Sequence, residues 1–241
     1  MTNIVVLIKQ VPDTWSERKL TDGDFTLDRE AADAVLDEIN ERAVEEALQI
    51  REKEAADGIE GSVTVLTAGP ERATEAIRKA LSMGAELGTI EGTELVIAGN
   101  ESTDGVGGAV PAIIAEYLGL PQLTHLRKVS IEGGKITGER ETDEGVFTLE
   151  ATLPAVISVN EKINEPRFPS FKGIMAAKKK EVTVLTLAEI GVESDEVGLA
   201  NAGSTVLAST PKPAKTAGEK VTDEGEGGNQ IVQYLVAQKI I

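Results

Sequence analysis

Cysteine is absent from the 241 residues, which removes disulfides, thiolate nucleophiles and cysteine-held metal or iron–sulfur centres from consideration. The single histidine, His125, cannot build a histidine-rich metal site or a paired-histidine mechanism. Aromatic residues make up only 3% of the chain, so the core must be packed with alanine and aliphatic residues, and each aromatic in a polar stretch carries information. No apolar run reaches the roughly 18 residues that a membrane-spanning helix needs. The start, "MTNIVVLIKQ", passes straight into a strand pattern with no basic leader or cleavage site, so a targeting segment is not expected and a cytoplasmic location is. Basic residues are also few. Against 41 acids the chain has 24 lysines and arginines, a net charge of −17. With the acids spread along the chain, that field repels phosphate backbones and argues against nucleic acid or an anionic membrane as a main partner.

What is present is an alternation. "IVVLIK" (4–9), "SVTVLTAGP" (62–70) and "TELVIAG" (93–99) are short apolar runs of the kind found in strands buried on both faces. Between and after them, residues 31–55, 71–85 and 109–119 carry apolar side chains at helical spacing, with Val35, Leu36, Ile39, Ala43, Val44, Ala47 and Leu48 forming one stripe. Strand, helix, strand, helix predicts an α/β fold with a mostly parallel sheet and helices on both faces. The rhythm breaks once. Only "GAELGTIEG" joins the helix at 71–83 to the strand at 93–98, too few residues for the strand and helix expected there. Either the chain takes a compact bypass or residues are missing at Ala85–Glu86, and the second is the favoured reading.

Farther on, residues 126–141 alternate about Gly133-Gly134 as a hairpin does. Residues 145–159 stay extended, and "EVTVLTL" (181–187) reads as a last strand. The expected division is an α/β domain over 1–190 and a Gly-, Pro- and acid-rich arm over 191–241, closed by a short amphipathic helix at 228–240. Residues 160–180, "NEKINEPRFPSFKGIMAAKKK", show neither helix nor strand periodicity, yet they gather two phenylalanines, a methionine and two prolines. Composition alone makes this a structured loop with apolar anchors.

The best local candidate for a ligand site is "VIAGNESTDGVGGAVPAIIAE" (96–116), a strand, a glycine-rich loop and a helix. Gly99, Gly105, Gly107 and Gly108 allow backbone amides to approach an anion at a helix N-terminus, at the carboxyl end of a parallel strand where open α/β sheets bind ligands. G-x-x-x-x-G-K-[ST], G-x-S-x-G and H-E-x-x-H patterns are missing. No carboxylate pair stands out as acid and base, and His125 reads as a turn or surface residue. The chain is therefore not expected to be an enzyme with side-chain catalysis of its own; any reaction belongs to a bound cofactor.

Four stretches together resemble the β-subunit family of electron-transfer flavoproteins: "VLIKQVPD" (6–13), "NERAVEEAL" (40–48) with "TAGPERATEAIRKALSMGA" (67–85), the long run 138–180, and "KTAGEKV" (215–221). The resemblance implies a Rossmann-like adenine-nucleotide-binding domain in a heterodimer whose α subunit carries most of the FAD contacts. Electrons would pass from acyl-CoA or related dehydrogenases toward a quinone oxidoreductase, and the C-terminal arm would pack on the α subunit. It implies a structural AMP in this subunit, held at Leu7, Lys9, Asn40, Ala68, Gly99, Ser102, Thr103, Asp104, Gly105, Gly107, Gly108, Ala109 and Val110. Where many members place Asn, Gln and Thr on the phosphate, this chain has Gly108, Ala109 and Val110, so backbone amides would carry those contacts, with Ser102 and Thr103 beside them. Electron-bifurcating members hold a second FAD there with an Asp-Gly-Asp-Thr pattern; here Asp104-Gly105 is followed by Val106. AMP is the favoured ligand. The resemblance further implies partner contacts at Glu141, Arg167, Phe168, Phe171, Ile174 and Met175, with residues 160–180 as the segment that recognises the dehydrogenase. A stand-alone nucleotide sensor of the universal-stress type stays open as an alternative, although it leaves 160–180 and the arm without a purpose.

Overall fold

A computed structural model describes residues 2–86, 88–215, 218 and 220–241. The chain divides into two compact units, one ending at Thr205 and the other Val206–Ile241. That division lies inside the stretch read from sequence as the arm. Of the 215–221 stretch, residues 216, 217 and 219 lie outside the described residues.

The first unit is built on a seven-stranded sheet. Its parallel part is β4 (Gly61–Leu66), β1 (Thr2–Leu7), β5 (Leu95–Gly99), β9 (Ala155–Val159) and β6 (Gln122–Glu132), in that spatial order; β7 (Lys135–Thr142) and β8 (Gly145–Thr152) extend it as an antiparallel meander. β5 and β9 are buried at every residue, as continuous apolar runs in the middle of a parallel sheet must be. β8, at the far end, is mostly exposed and leaves Val146 and Phe147 open to water. A separate two-stranded ribbon pairs β2 (Gln10–Pro12) with β3 (Ala34–Leu36).

Helices α1 (Glu38–Ala56) and α2 (Thr74–Met83) fill one face of the sheet. Their Ala43, Val44, Ala47, Leu48, Ile77, Ala80 and Leu81 join Ile4, Val6, Val63, Val65, Leu95 and Ile97 in the main core. Among the described residues the other face carries α3 (Val110–Leu118), whose Ala115 packs with Val96, Val156 and Leu7 in a much smaller cluster. Helices on both faces agree with the sequence reading.

Three boundaries differ from it. The helix expected from residue 31 starts at Glu38, because Asp37 caps it, its Oδ1 accepting from the backbone amides of Ile39 (3.0 Å) and Asn40 (3.3 Å). Val35 and Leu36, which fit the helical stripe, belong instead to the ribbon. The strand expected at 181–187 does not form: the segment pairs with no strand, and Val184 and Leu185 are exposed. Residues 160–180 are not wholly irregular, since α4 (Phe171–Lys179) occupies their second half, capped by Ser170 Oγ accepting from Gly173 N at 3.0 Å. α4 crosses α2 so closely that a Cβ on Gly173 would stand 2.5 Å from the Ser82 carbonyl oxygen.

At the junction where the rhythm breaks, Ala85 is buried at the end of α2 and the amide of Glu86 donates to the Val63 carbonyl at 2.8 Å. Glu86 thereby forms a one-residue parallel bridge with Thr64, on the outer side of β4.

The second unit contains α5 (Gly227–Ala237), with Asp223 Oδ1 accepting from Gly225 N and Gly227 N, both at 2.8 Å, before its first turn. Its apolar residues, Ile231, Val232, Tyr234 and Val236, are exposed. Among the described residues no helix is long and apolar enough to cross a membrane, and no cluster of His, Asp and Glu could hold a metal ion.

Candidate functional site

The carboxyl ends of β1, β4 and β5 and the loop 99–110 enclose a cavity of about 540 Å³. Leu7, Lys9, Asn40, Ala68, Gly99, Ser102, Gly105, Gly107, Gly108 and Val110 all line it. Ile8, Leu66, Thr67, Ala98, Asn100, Glu101, Pro111 and Ile114 line it too, the five from Ala98 onward lying within the 96–116 stretch read as the ligand site but not named as contacts. Leu66 and Ala98 are brought there by the sheet order, which is not written in the sequence, whereas Asn100 and Glu101 follow β5 and Pro111 and Ile114 lie on α3.

Each wall has a local cause. Asn40 faces the strand end from the first turn of α1, and its Oδ1 accepts from the amide of Lys9 at 2.7 Å. Gly99 has to be glycine here, since a Cβ would meet Asn40 Nδ2 at 2.5 Å and Ile39 Cγ2 at 3.0 Å. The loop beyond it is pinned from two sides. Asp37 Oδ2 accepts from both the amide (2.7 Å) and the hydroxyl (2.9 Å) of Thr103, while Arg18 donates to the Thr103 carbonyl at 2.7 Å. Thr103 is thus committed to the loop, away from the cavity lining.

Asp104 is committed as well. Its side chain is fully buried, receives Lys9 Nζ at 2.8 Å and Arg29 at 2.6 Å, and accepts from the amide of Gly105 at 2.7 Å. Burial works to raise the Asp104 pKa, but hydrogen bonds from Lys9, Ser102 and Arg29 and the Lys9 charge outweigh it and hold the carboxyl well below the usual range. Ala109 caps α3 by its backbone and does not line the cavity.

Two residues that line the cavity, Asn100 and Thr67, each have a buried side-chain oxygen (Oδ1 and Oγ1) without a hydrogen-bond partner. Orphaned groups of this kind are costly unless something pairs with them. A base or sugar edge offering donors and acceptors fits them. His125 stands behind the same wall: a bulge in β6 gives it φ of 59°, its amide donates to Ser158 Oγ at 2.9 Å, and its Nδ1 lies 3.3 Å from Asn100 Nδ2. It is a half-buried strand residue, not a turn or surface one. A second cavity of about 290 Å³ shares Lys9 and Ala68 with the first and adds Arg29 and Arg72.

Residues 160–180 form a second feature of interest. Phe168 is 96% exposed and Phe171 81%, with Ile174 and Met175 partly open beside them. Arg167, in contrast, is turned inward onto α1. Its guanidinium and amide donate to both oxygens of Glu45, the closest at 2.7 Å, and its guanidinium also to both oxygens of Glu52, the closest at 2.5 Å. Arg42 and Asn164 tie the same loop to α1 through each other's backbone carbonyls, and Asn164 also donates to Glu46 at 3.0 Å. Glu141, on β7, is held by Lys162 at 2.8 Å and Arg127 at 3.2 Å, and the Lys162 hydrogen bond is the first cause of its lowered pKa.

The chain matches the family model described as electron transfer flavoprotein domain in two runs, residues 24–90 and 87–190. It is 90% identical over 266 aligned positions to the electron transfer flavoprotein subunit beta of Mycobacterium tuberculosis strain H37Rv, and 85% identical over 266 to that of Mycobacterium leprae, covering all of both chains in each case. It is also 30% identical over 260 positions to the caffeyl-CoA reductase-Etf complex subunit CarD of Acetobacterium woodii, with 98% of this chain and 97% of that one aligned.

Proposed function

Because the chain belongs to the electron transfer flavoprotein family, as a β subunit, we propose that it holds AMP in the cavity at the strand ends and docks donor dehydrogenases through residues 160–180. Its role is in electron transfer, as a carrier subunit. An α subunit is its partner and contributes most of the FAD site; FAD, when bound, supplies the redox chemistry. Electrons then come from acyl-CoA or related dehydrogenases and leave toward a quinone oxidoreductase.

The observation that carries the nucleotide reading is the pair of unpartnered buried atoms, Asn100 Oδ1 and Thr67 Oγ1, on residues of a wall that Leu7, Lys9 and Ala68 also line. The phosphate side falls to the amides of Gly107, Gly108 and the first turn of α3, because Thr103 and the Gly105 amide are already engaged. Lys9 and Arg29 supply positive charge next to that loop, partly offset by Asp104. Docking is supported by the two exposed phenylalanines, carried on a segment that Arg167 fixes to α1. Large exposed aromatics on a tethered base are the usual form of an interface anchor.

A second reading has an observation of its own. The adjoining cavity with Lys9, Arg29 and Arg72 could take the far half of a dinucleotide, which suits a second FAD in place of AMP. The deciding experiment is co-expression with the α subunit, release of bound nucleotides by denaturation, and identification by chromatography and mass. One FAD and one AMP per heterodimer is expected. Two FAD molecules favour the second reading, and a single FAD in a complex that also takes up no added AMP or FAD in equilibrium dialysis defeats both.

A further inference from the structure

The bypass between α2 and β5 covers only part of one face of the sheet. After the bridge between Glu86 and Thr64, a Cβ on Gly88 would stand 2.5 Å from Thr64 Oγ1, Asn3 Nδ2 donates to the Gly92 carbonyl at 3.4 Å, and Glu94 N donates to the Asn3 carbonyl at 3.0 Å. These contacts cover Asn3 and Thr64. On the same face, one pleat nearer the strand ends, Leu66 is left 44% exposed beside half-buried Leu7, its register partner. Both line the nucleotide cavity.

The mycobacterial relatives align over 266 positions with a chain of 241 residues, so 25 of those positions have no counterpart here. At 90% identity over that length, nearly every residue this chain does have is matched, and the difference is almost wholly the shortfall. The family model, meanwhile, matches in two runs that meet at residues 87–90. About 25 residues is what a short strand, an average helix and two connections require.

We propose that this chain lacks one strand–helix unit at the Ala85–Glu86 junction, and that its nucleotide cavity is consequently open along one wall and exchanges its ligand with solution. The single bridge at Glu86 marks where the added strand runs beside β4. From that edge to β5, on the far side of β1, the connection reverses direction across the sheet. A right-handed crossover therefore puts the helix on the face opposite α1 and α2, beside α3 and over Leu66 and Leu7. Ligand sites commonly enclose most of their ligand's surface; here that side is open to water. The inference rests on the nucleotide reading above.

The test compares this chain with the same chain carrying the 25 additional residues of a mycobacterial relative at the junction, each co-expressed with the α subunit. Release of a fluorescent N-methylanthraniloyl AMP, chased by excess AMP, is expected to be at least roughly tenfold faster from the chain as it stands, a loss of about 1.4 kcal/mol of retention. Equal release rates overturn the inference. Leu66→Cys, labelled after any bound nucleotide has been removed, gives a second reading, since the chain has no other cysteine. Maleimide should modify the introduced thiol readily here and at least roughly tenfold more slowly in the longer chain. Equal labelling overturns the placement of the missing wall. Protection of that thiol in the longer chain, with no nucleotide bound by either chain, would instead sink the AMP reading and leave the wall in place.

Discussion

Replacing Arg167 with alanine tests whether the projecting segment is held by charge or merely rests on α1. Glu45 is the sensitive partner. Its side chain is only 5% exposed, and it receives from Arg167 at 2.7 and 3.1 Å and from Gln49 at 2.8 Å. Truncating one member of a fully buried pair costs about 3–5 kcal/mol, because the other charge stays buried alone. Arg167 is 34% exposed, so water screens part of this pair, and its contacts to half-exposed Glu52 add little. A loss of about 2 kcal/mol is expected, or a urea midpoint lower by roughly 0.7 M at an m-value of about 3 kcal/mol/M for a chain this size.

The pH dependence makes the test specific. In the intact chain burial works to raise the Glu45 pKa, but the Arg167 and Gln49 hydrogen bonds prevail and lower it from 4.5. A depressed carboxyl pKa contributes stability that is present above about pH 4.5 and is lost as pH falls through the lower folded value. Without Arg167 the burial contribution dominates, the folded pKa moves above the unfolded one, and the variant regains stability as pH falls from 7 toward 5. Glu46, raised mainly by its own burial, also feels the Glu45 charge, so the difference between the two proteins reports the pair and not Glu45 alone. Urea titrations followed by circular dichroism at pH 7 and pH 5 give both numbers. A destabilisation below about 0.5 kcal/mol, or one that is the same at both pH values, refutes the reasoning.

Phe171→Ala should weaken dehydrogenase docking while leaving the flavin spectrum and the urea midpoint unchanged, since the ring is 81% exposed; undiminished transfer from the cognate dehydrogenase would end the docking assignment. Glu141→Ala should alter transfer rates with at least one donor, and because its ionic partners Lys162 and Arg127 are exposed or half-exposed, stability should change by less than about 0.5 kcal/mol. Gly99→Ala places a methyl 2.5 Å from Asn40 Nδ2, displacing the side chain that holds the Lys9 amide. About 1–3 kcal/mol of stability should be lost, together with nucleotide retention on gel filtration; a variant that keeps both shows that the strand end tolerates crowding.

The sequence reveals what periodicity encodes. β1 and β5 carry continuous aliphatic runs, β4 alternates Val63 and Val65 with Ser62 and Thr64, and the stripe of α2 repeats at 3.6 residues, so all are legible. Alternation cannot say whether a neighbouring strand exists, which is why 181–187 looks like a strand and stays unpaired. The start of α1 is misread because Val35 and Leu36 extend the stripe by chance, and only the Asp37 cap marks the true boundary. At the candidate site, the glycine loop and Lys9 are visible as residue types. The neutralisation of Asp104, the capture of Thr103 by Asp37 and the inward turn of Arg167 each depend on contacts more than sixty residues apart in sequence.

The meander ends on β8, eight residues long, with Val146 and Phe147 uncovered and one row of backbone groups unpaired within this chain. Such an edge is a template for any extended segment that reaches it, including the same edge of another copy. Few local features guard it, and the guard is global: two copies, each at −17, repel one another before their edges can align. At physiological salt that repulsion reaches about 8 Å, and at 1 M only about 3 Å. Colloidal behaviour is therefore tied to ionic strength, and the chain is safest from self-association in dilute salt.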